Sequence, residues 1–102
     1  MRLNRKRAIV TGGAAGIGAA IAARFAAEGA RVLIADRNVE RAEATAGQLR
    51  ATGADVVALG VDVASAASVQ EMVREAVARF GGLTILVNNA GIVHPGDGEI
   101  ET

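Results

Sequence analysis

Cysteine is absent from this chain of 102 residues, and histidine and proline occur once each, as His94 and Pro95. Without thiols there is no disulfide framework, no thiolate metal site and no cysteine nucleophile, which fits a reducing, cytoplasmic setting. A single imidazole with no second His or Cys beside it gives no metal-ligand set, so no metal is expected and His94 reads as an exposed loop residue. Aromatics are reduced to Phe25 and Phe80, with no Trp and no Tyr, although apolar residues make up 51% of the chain. The core must therefore be built from aliphatic side chains and close backbone packing. Charge of one sign is also missing: 11 basic residues balance 11 acidic ones. No long-range field draws the chain to nucleic acid or an anionic membrane, and the one basic cluster is Arg2, Arg5, Lys6 and Arg7. Neither is an expected partner. The length allows one domain or part of one, able to bury roughly two thirds of its unfolded surface.

Long apolar runs are absent too. Residues 1–7 are basic and 8–23 uncharged, which imitates a secretory signal. Gly12, Gly13, Gly16 and Gly18 would break a signal helix, and the charge at Arg24 leaves nothing long enough to span a bilayer.

What is present is alternation. Residues 7–11 form a short apolar run that ends in glycines and reads as a buried strand. From 17 to about 28, Ile17, Ala20, Ile21, Ala23, Phe25 and Ala27 describe a helix apolar on most sides, with Arg24 and Glu28 as its polar edge and Gly29 as its stop. A second strand covers 31–36. Asn38 can cap a helix presenting Val39, Ala42, Ala46 and Leu49 on one face and ending near Gly53. A third strand runs over 56–61. Ser65 can cap a helix whose Val69, Met72, Val73, Ala76, Val77 and Phe80 share a face before Gly81 and Gly82. A fourth strand covers 83–87.

Near-continuous apolar strands alternating with helices predict an α/β fold: a Rossmann-like, doubly wound parallel sheet with helices on both faces. Right-handed crossovers give the strand order 3-2-1-4, with the binding crevice at the carboxyl ends of the strands, where the order reverses between strands 1 and 4.

Three features fall at those ends. The first is Thr11-Gly12-Gly13-Ala14-Ala15-Gly16-Ile17-Gly18, between strand 1 and a helix. Gly12 permits a tight exit, Gly16 lets backbone approach a phosphate, Gly18 allows close helix packing, and the helix terminus offers N–H groups to a pyrophosphate. The second is Asp36, eighteen residues beyond Gly18, which can accept from the adenosine ribose hydroxyls and repel a 2′-phosphate, or else cap the helix beginning near Asn38. Arg37 beside it can lie on the adenine face, meet a 2′-phosphate or stand as a solvated neighbour of Glu40 or Asp36. The third is a pair of polar strand ends, Asp62-Val63 and Asn88-Asn89-Ala90-Gly91, which suit either turns or adenine and ribose contacts.

Together these motifs resemble the amino-terminal half of the short-chain dehydrogenase/reductase family over nearly the whole chain. The resemblance implies that Gly12, Gly16, Ile17 and Gly18 line the pyrophosphate and that Asp36 holds the adenosine ribose. It implies that Asp62 meets the adenine amino group with Val63 alongside, and that Asn89, Ala90 and Gly91 border the nicotinamide ribose. Thr11 and Asn88 would tie strand 4 to the glycine loop. Members preferring NADP often carry a basic residue where this chain has Ala15, so NAD is the expected cofactor.

The family's catalytic Ser, Tyr and following Lys have no match here: there is no Tyr, and the only Lys is Lys6. No catalytic residue is therefore expected in this chain, and hydride transfer between NAD and an alcohol or carbonyl substrate would belong to a longer parent. Residues 1–102 are read as its dinucleotide-binding half, cut in the loop after strand 4 and prone to self-association along that strand's open edge. The competing reading is a non-catalytic dinucleotide-binding or assembly fragment.

Overall fold

The computed structural model describes residues 6–13, 16–62, 64–88, 92–93 and 100–101. Four parallel strands, β1 (Arg7–Thr11), β2 (Arg31–Asp36), β3 (Val56–Gly60) and β4 (Ile85–Asn88), alternate with helices α1 (Gly16–Ala27), α2 (Val39–Arg50) and α3 (Ala66–Phe80). The sheet order is β3-β2-β1-β4, the doubly wound order expected from the alternation. In register, Ile9 lies between Leu33 and Leu86, and Val10 between Ile34 and Val87.

The period of two along each strand sorts the core into two layers. Val10, Val32, Ile34 and Val56 pack with Ala22 of α1 and Ala42 and Ala46 of α2. Ile9, Leu33 and Ala35 point the other way, onto Met72, Ala76 and Phe80 of α3. Fully buried alanines at the helix faces let the helices sit close to the sheet, which is how a chain nearly free of aromatics fills its interior.

The helix boundaries follow local signals. The Asn38 side chain accepts from Arg41 N, and the Ser65 side chain accepts from Ser68 N, so both expected caps are made. Gly29 and Gly81, both at positive φ, follow the ends of α1 and α3. α1 starts one residue before the apolar pattern does, and α2 ends at Arg50, with a turn over residues 51–53 carrying the chain through Gly53.

Four expectations need correction. β4 begins at Ile85 instead of 83: Thr84 N donates to Arg7 O, but Arg7 N donates to the Thr84 hydroxyl where a ladder would offer a backbone carbonyl. β3 ends at Gly60, although Val61 still donates to Asp36 O. Val39 and Val77 lie on apolar stripes but are 49% and 46% exposed: Val39 opens α2 and Val77 flanks the line through Met72, Ala76 and Phe80. Beyond β4, where a loop was expected, Ile92–Val93 (β5) and Ile100–Glu101 (β6) pair as a two-residue antiparallel ladder.

Removing a side chain from these two environments should separate them. Met72→Ala is expected to lower unfolding free energy by about 2–5 kcal/mol through the cavity it leaves, whereas Val77→Ala should change it by less than about 0.5 kcal/mol. Chemical denaturation of both variants checks the contrast.

Candidate functional site

The carboxyl ends of the strands are laced together by short polar contacts. Gly12 N donates to Ala35 O at 2.7 Å, tying the glycine turn to the end of β2. Thr11, only 3% exposed, directs its hydroxyl at Asn88 Oδ1 (3.1 Å) and Val87 O (3.3 Å), tying the end of β1 to the end of β4. Val61 N donates to Asp36 O at 2.9 Å and ties β3 to β2. All four strand ends thus border one crevice, with the strand order reversing between β1 and β4.

The glycine turn is built by conformation more than by absence of bulk. Gly12 and Gly16 hold φ of 64° and 61°, the left-handed region. Among the described residues nothing would lie within 4 Å of a Cβ at Gly16, so there is open space beside it, and positive φ is what demands glycine there. The opening amides of α1 have no acceptors within the helix, and Ile17, 74% exposed, stands at its mouth. Those amides and that open space suit a pyrophosphate. The Gly12 amide, by contrast, is committed to Ala35, so this residue shapes the turn.

Asp36 lies at the end of β2, and its Oδ1 accepts from Asn38 N at 3.0 Å. The capping alternative is therefore realised at this carboxylate, one step ahead of Asn38 itself. Arg37 is exposed and makes no ion pair with Asp36 or Glu40 among the described residues. Asp62, after β3, accepts at Oδ1 from Ala64 N at 3.0 Å, and its own N–H donates to Ser68 Oγ at 3.0 Å. The structure thus brings Gly12, Gly16, Ile17, Gly18, Asp36, Arg37 and Asp62 to one end of the sheet. Val63, Asn89, Ala90 and Gly91, like Ala15 and His94, lie outside the described residues.

Two residues were not foreseen. Gly13 is buried where a Cβ would come within 3.0 Å of both Ile34 Cγ2 and Val10 O; nothing in a run of two glycines distinguishes its role from that of Gly12. Ser68 is the other: the third residue after a Ser cap signals a capping box only when it is Glu or Gln, and the Ser68 hydroxyl instead accepts from Asp62 N. A recess of about 680 Å³ does exist at the opposite end of the sheet, among Ala26, Leu49, Ala54 and the Arg31–Asp55 ion pair. It is lined by none of the residues of the glycine turn, nor by Asp36 or Asp62.

A family model described as short chain dehydrogenase matches residues 6–101. The chain belongs to the short-chain dehydrogenase family. It is 50% identical over 101 residues to the 2,5-dichloro-2,5-cyclohexadiene-1,4-diol dehydrogenase LinX of Sphingobium indicum, covering 99% of this chain and 40% of that protein. It is also 50% identical over 91 residues to the D-threitol dehydrogenase of Mycolicibacterium smegmatis, covering 89% of this chain and 35% of that protein. A short-chain dehydrogenase from Burkholderia cenocepacia, solved in complex with NADP, superposes with a TM-score of 0.87 at 48% identity, over 94% of this chain and 40% of that one. The chain thus spans 35–40% of the length of these relatives.

Glycine conformation gives a paired test. Gly16→Ala, forced to positive φ, should cost about 1–2 kcal/mol, while Gly47→Ala, inside α2 with only Arg50 Nη2 near its new Cβ, should gain about 0.5–1 kcal/mol. Thermal melts of the two variants should move in opposite directions.

Proposed function

We propose that residues 1–102 form the amino-terminal dinucleotide-binding half of a short-chain dehydrogenase whose cofactor is NAD in preference to NADP. The observation that carries this reading is Asp36: a carboxylate at the end of β2, one residue past the carbonyl that holds the glycine turn. Gly16, Ile17 and Gly18 would face the pyrophosphate with the opening amides of α1, while Gly12 sets the turn. Asp36 accepts from the ribose hydroxyls and disfavours a 2′-phosphate by like charge, with Arg37 at the adenosine end. Asp62 and Val63 meet adenine, and Asn89, Ala90 and Gly91 border the nicotinamide ribose. The bound dinucleotide supplies the hydride acceptor or donor. The NADP seen in the Burkholderia relative belongs to that protein; here the preference rests on Asp36, with the identity of Ala15 in agreement.

A general acid or base of the Tyr and Lys type that the family uses toward an alcohol or carbonyl is missing: the chain has no Tyr, and its one Lys is Lys6, just ahead of β1 and away from the crevice. On that ground the 102 residues bind cofactor without turning over substrate, and the parent enzyme carries out the hydride transfer. A second reading, a binding or assembly module with no catalytic parent, draws on the same absence. A Tyr-x-x-x-Lys segment encoded downstream of Thr102 favours the dehydrogenase. Self-association belongs to the proposal as well, since Leu86 on β4 is 53% exposed and β4 is an edge of the four-stranded sheet.

Calorimetric titration tests the cofactor assignment. The chain should bind NAD more tightly than NADP, and Asp36→Ser should shift that ratio toward NADP by about tenfold, the effect of removing one close like charge. Tighter NADP binding by the unaltered chain overturns the assignment. In sedimentation, Leu86→Lys should shift the chain toward monomer.

A further inference from the structure

Asp36 and Asp62 end their strands in the same way. Each gives Oδ1 to the backbone N–H two residues on, Asn38 and Ala64, at 3.0 Å in both cases. Such a turn restrains the carboxylate and orders the chain entering the next helix. At Asp62 a further restraint is added from outside the turn. Its N–H donates to Ser68 Oγ at 3.0 Å, while its carbonyl accepts from Ser65 N at 3.0 Å. Ser68 is itself held, its N–H donating to Ser65 Oγ at 3.2 Å and the N–H of Val69 to Ser65 O at 3.0 Å. The first turn of α3 therefore grips the main chain of Asp62 at both its polar atoms.

We propose that Ser68 is a positioning residue for recognition of the adenine base, acting through Asp62. The inference rests on the reading of Asp62 as acceptor for the exocyclic amino group of adenine. A carboxylate so placed favours adenine, which donates from that group, over hypoxanthine, which presents a carbonyl oxygen there and repels it. The discrimination depends on where the carboxylate stands, because a hydrogen bond weakens steeply as distance and angle depart from their optimum. Ser68 fixes the backbone that carries it, with no need to touch the base.

The test compares NAD with nicotinamide hypoxanthine dinucleotide by calorimetric titration of the 102-residue chain. The ratio of the two affinities is the readout, since partial unfolding of a variant weakens both ligands equally. The unaltered chain should favour NAD by about tenfold, a hydrogen bond to a charged acceptor. Asp62→Ala should bring the ratio close to one. Ser68→Ala should lower it by about threefold to fivefold, and Ser68→Thr, which keeps the hydroxyl, should restore it. Without ligand, Ser68→Ala should also speed hydrogen exchange at the Asp62 amide several-fold.

The outcomes separate the inference from the reading beneath it. If the unaltered chain binds neither dinucleotide or shows no preference, or if Asp62→Ala leaves the preference intact, the reading of Asp62 fails and the role of Ser68 fails with it. If Asp62→Ala abolishes the preference but Ser68→Ala keeps it, only the role of Ser68 is overturned. Unchanged exchange at Asp62, or a Ser68→Thr variant that behaves like Ser68→Ala, overturns it as well.

Discussion

The crossing of chain direction at β1 is the constraint on which the rest depends. β2 lies on one side of β1 and β4 on the other, so the connections leaving these strands diverge and leave a gap at their carboxyl ends. Two bonds hold the rim of that gap. The Gly12 amide reaches across to Ala35 O, and the Thr11 hydroxyl reaches the opposite way to Asn88 and Val87. Both start from adjacent residues at the end of the most buried strand, where Ala8, Ile9 and Val10 are fully shielded. A rim anchored in the core can present backbone amides and carboxylates to a ligand with little reorganisation.

Much of this was legible in the sequence because the signals were local and redundant. β1 and β2 were read at their observed bounds, since each is an apolar run closed by residues that cannot continue it: glycines after Thr11, and Asp36 before a helix cap. Asn38 and Ser65 cap their helices as expected because side-chain capping needs only one residue and the amides just beyond it. The errors came where the answer depends on a neighbour distant in sequence. Val39 and Val77 have correct helical spacing, yet exposure is decided by what lies opposite, which periodicity does not encode. The start of β4 was displaced by a contact with Arg7, 77 residues away.

Site residues divide along the same line. The glycines and Asp36 could be named because the turn and the strand end are short motifs with direct physical reasons. What each atom does could not be: the Gly12 amide serves β2, and one oxygen of Asp36 serves Asn38. Gly13 and Ser68 carry no motif of their own. Gly13 is required small by Ile34 and by the carbonyl of Val10, and Ser68 matters through the backbone of Asp62. Residues that position others are the least visible in a sequence, because their partners are known only once the chain has folded.

The two faces of the sheet are unequally supported, and this explains where the polar pins are placed. Among the described residues, α1 and α2 cover the face of Val10, Val32 and Ile34, while α3 alone covers the face of Ile9, Leu33 and Ala35 and packs against β1 and β2. β4 lies beyond that coverage, with Leu86 half exposed beside a buried Ile9. A strand with one weakly covered face has little hydrophobic contrast to set its register, and a slip of one residue would turn Val87 out and carry Asn88 away from Thr11. Threonine hydroxyls pin it at both ends: Thr84 Oγ1 accepts from Arg7 N before the ladder begins, and Thr11 Oγ1 donates to Asn88 where it closes. Hydrogen bonds, directional where burial is not, thus supply at β4 the register that side-chain packing supplies at β1 and β2, and the position of Asn88 at the crevice follows from them.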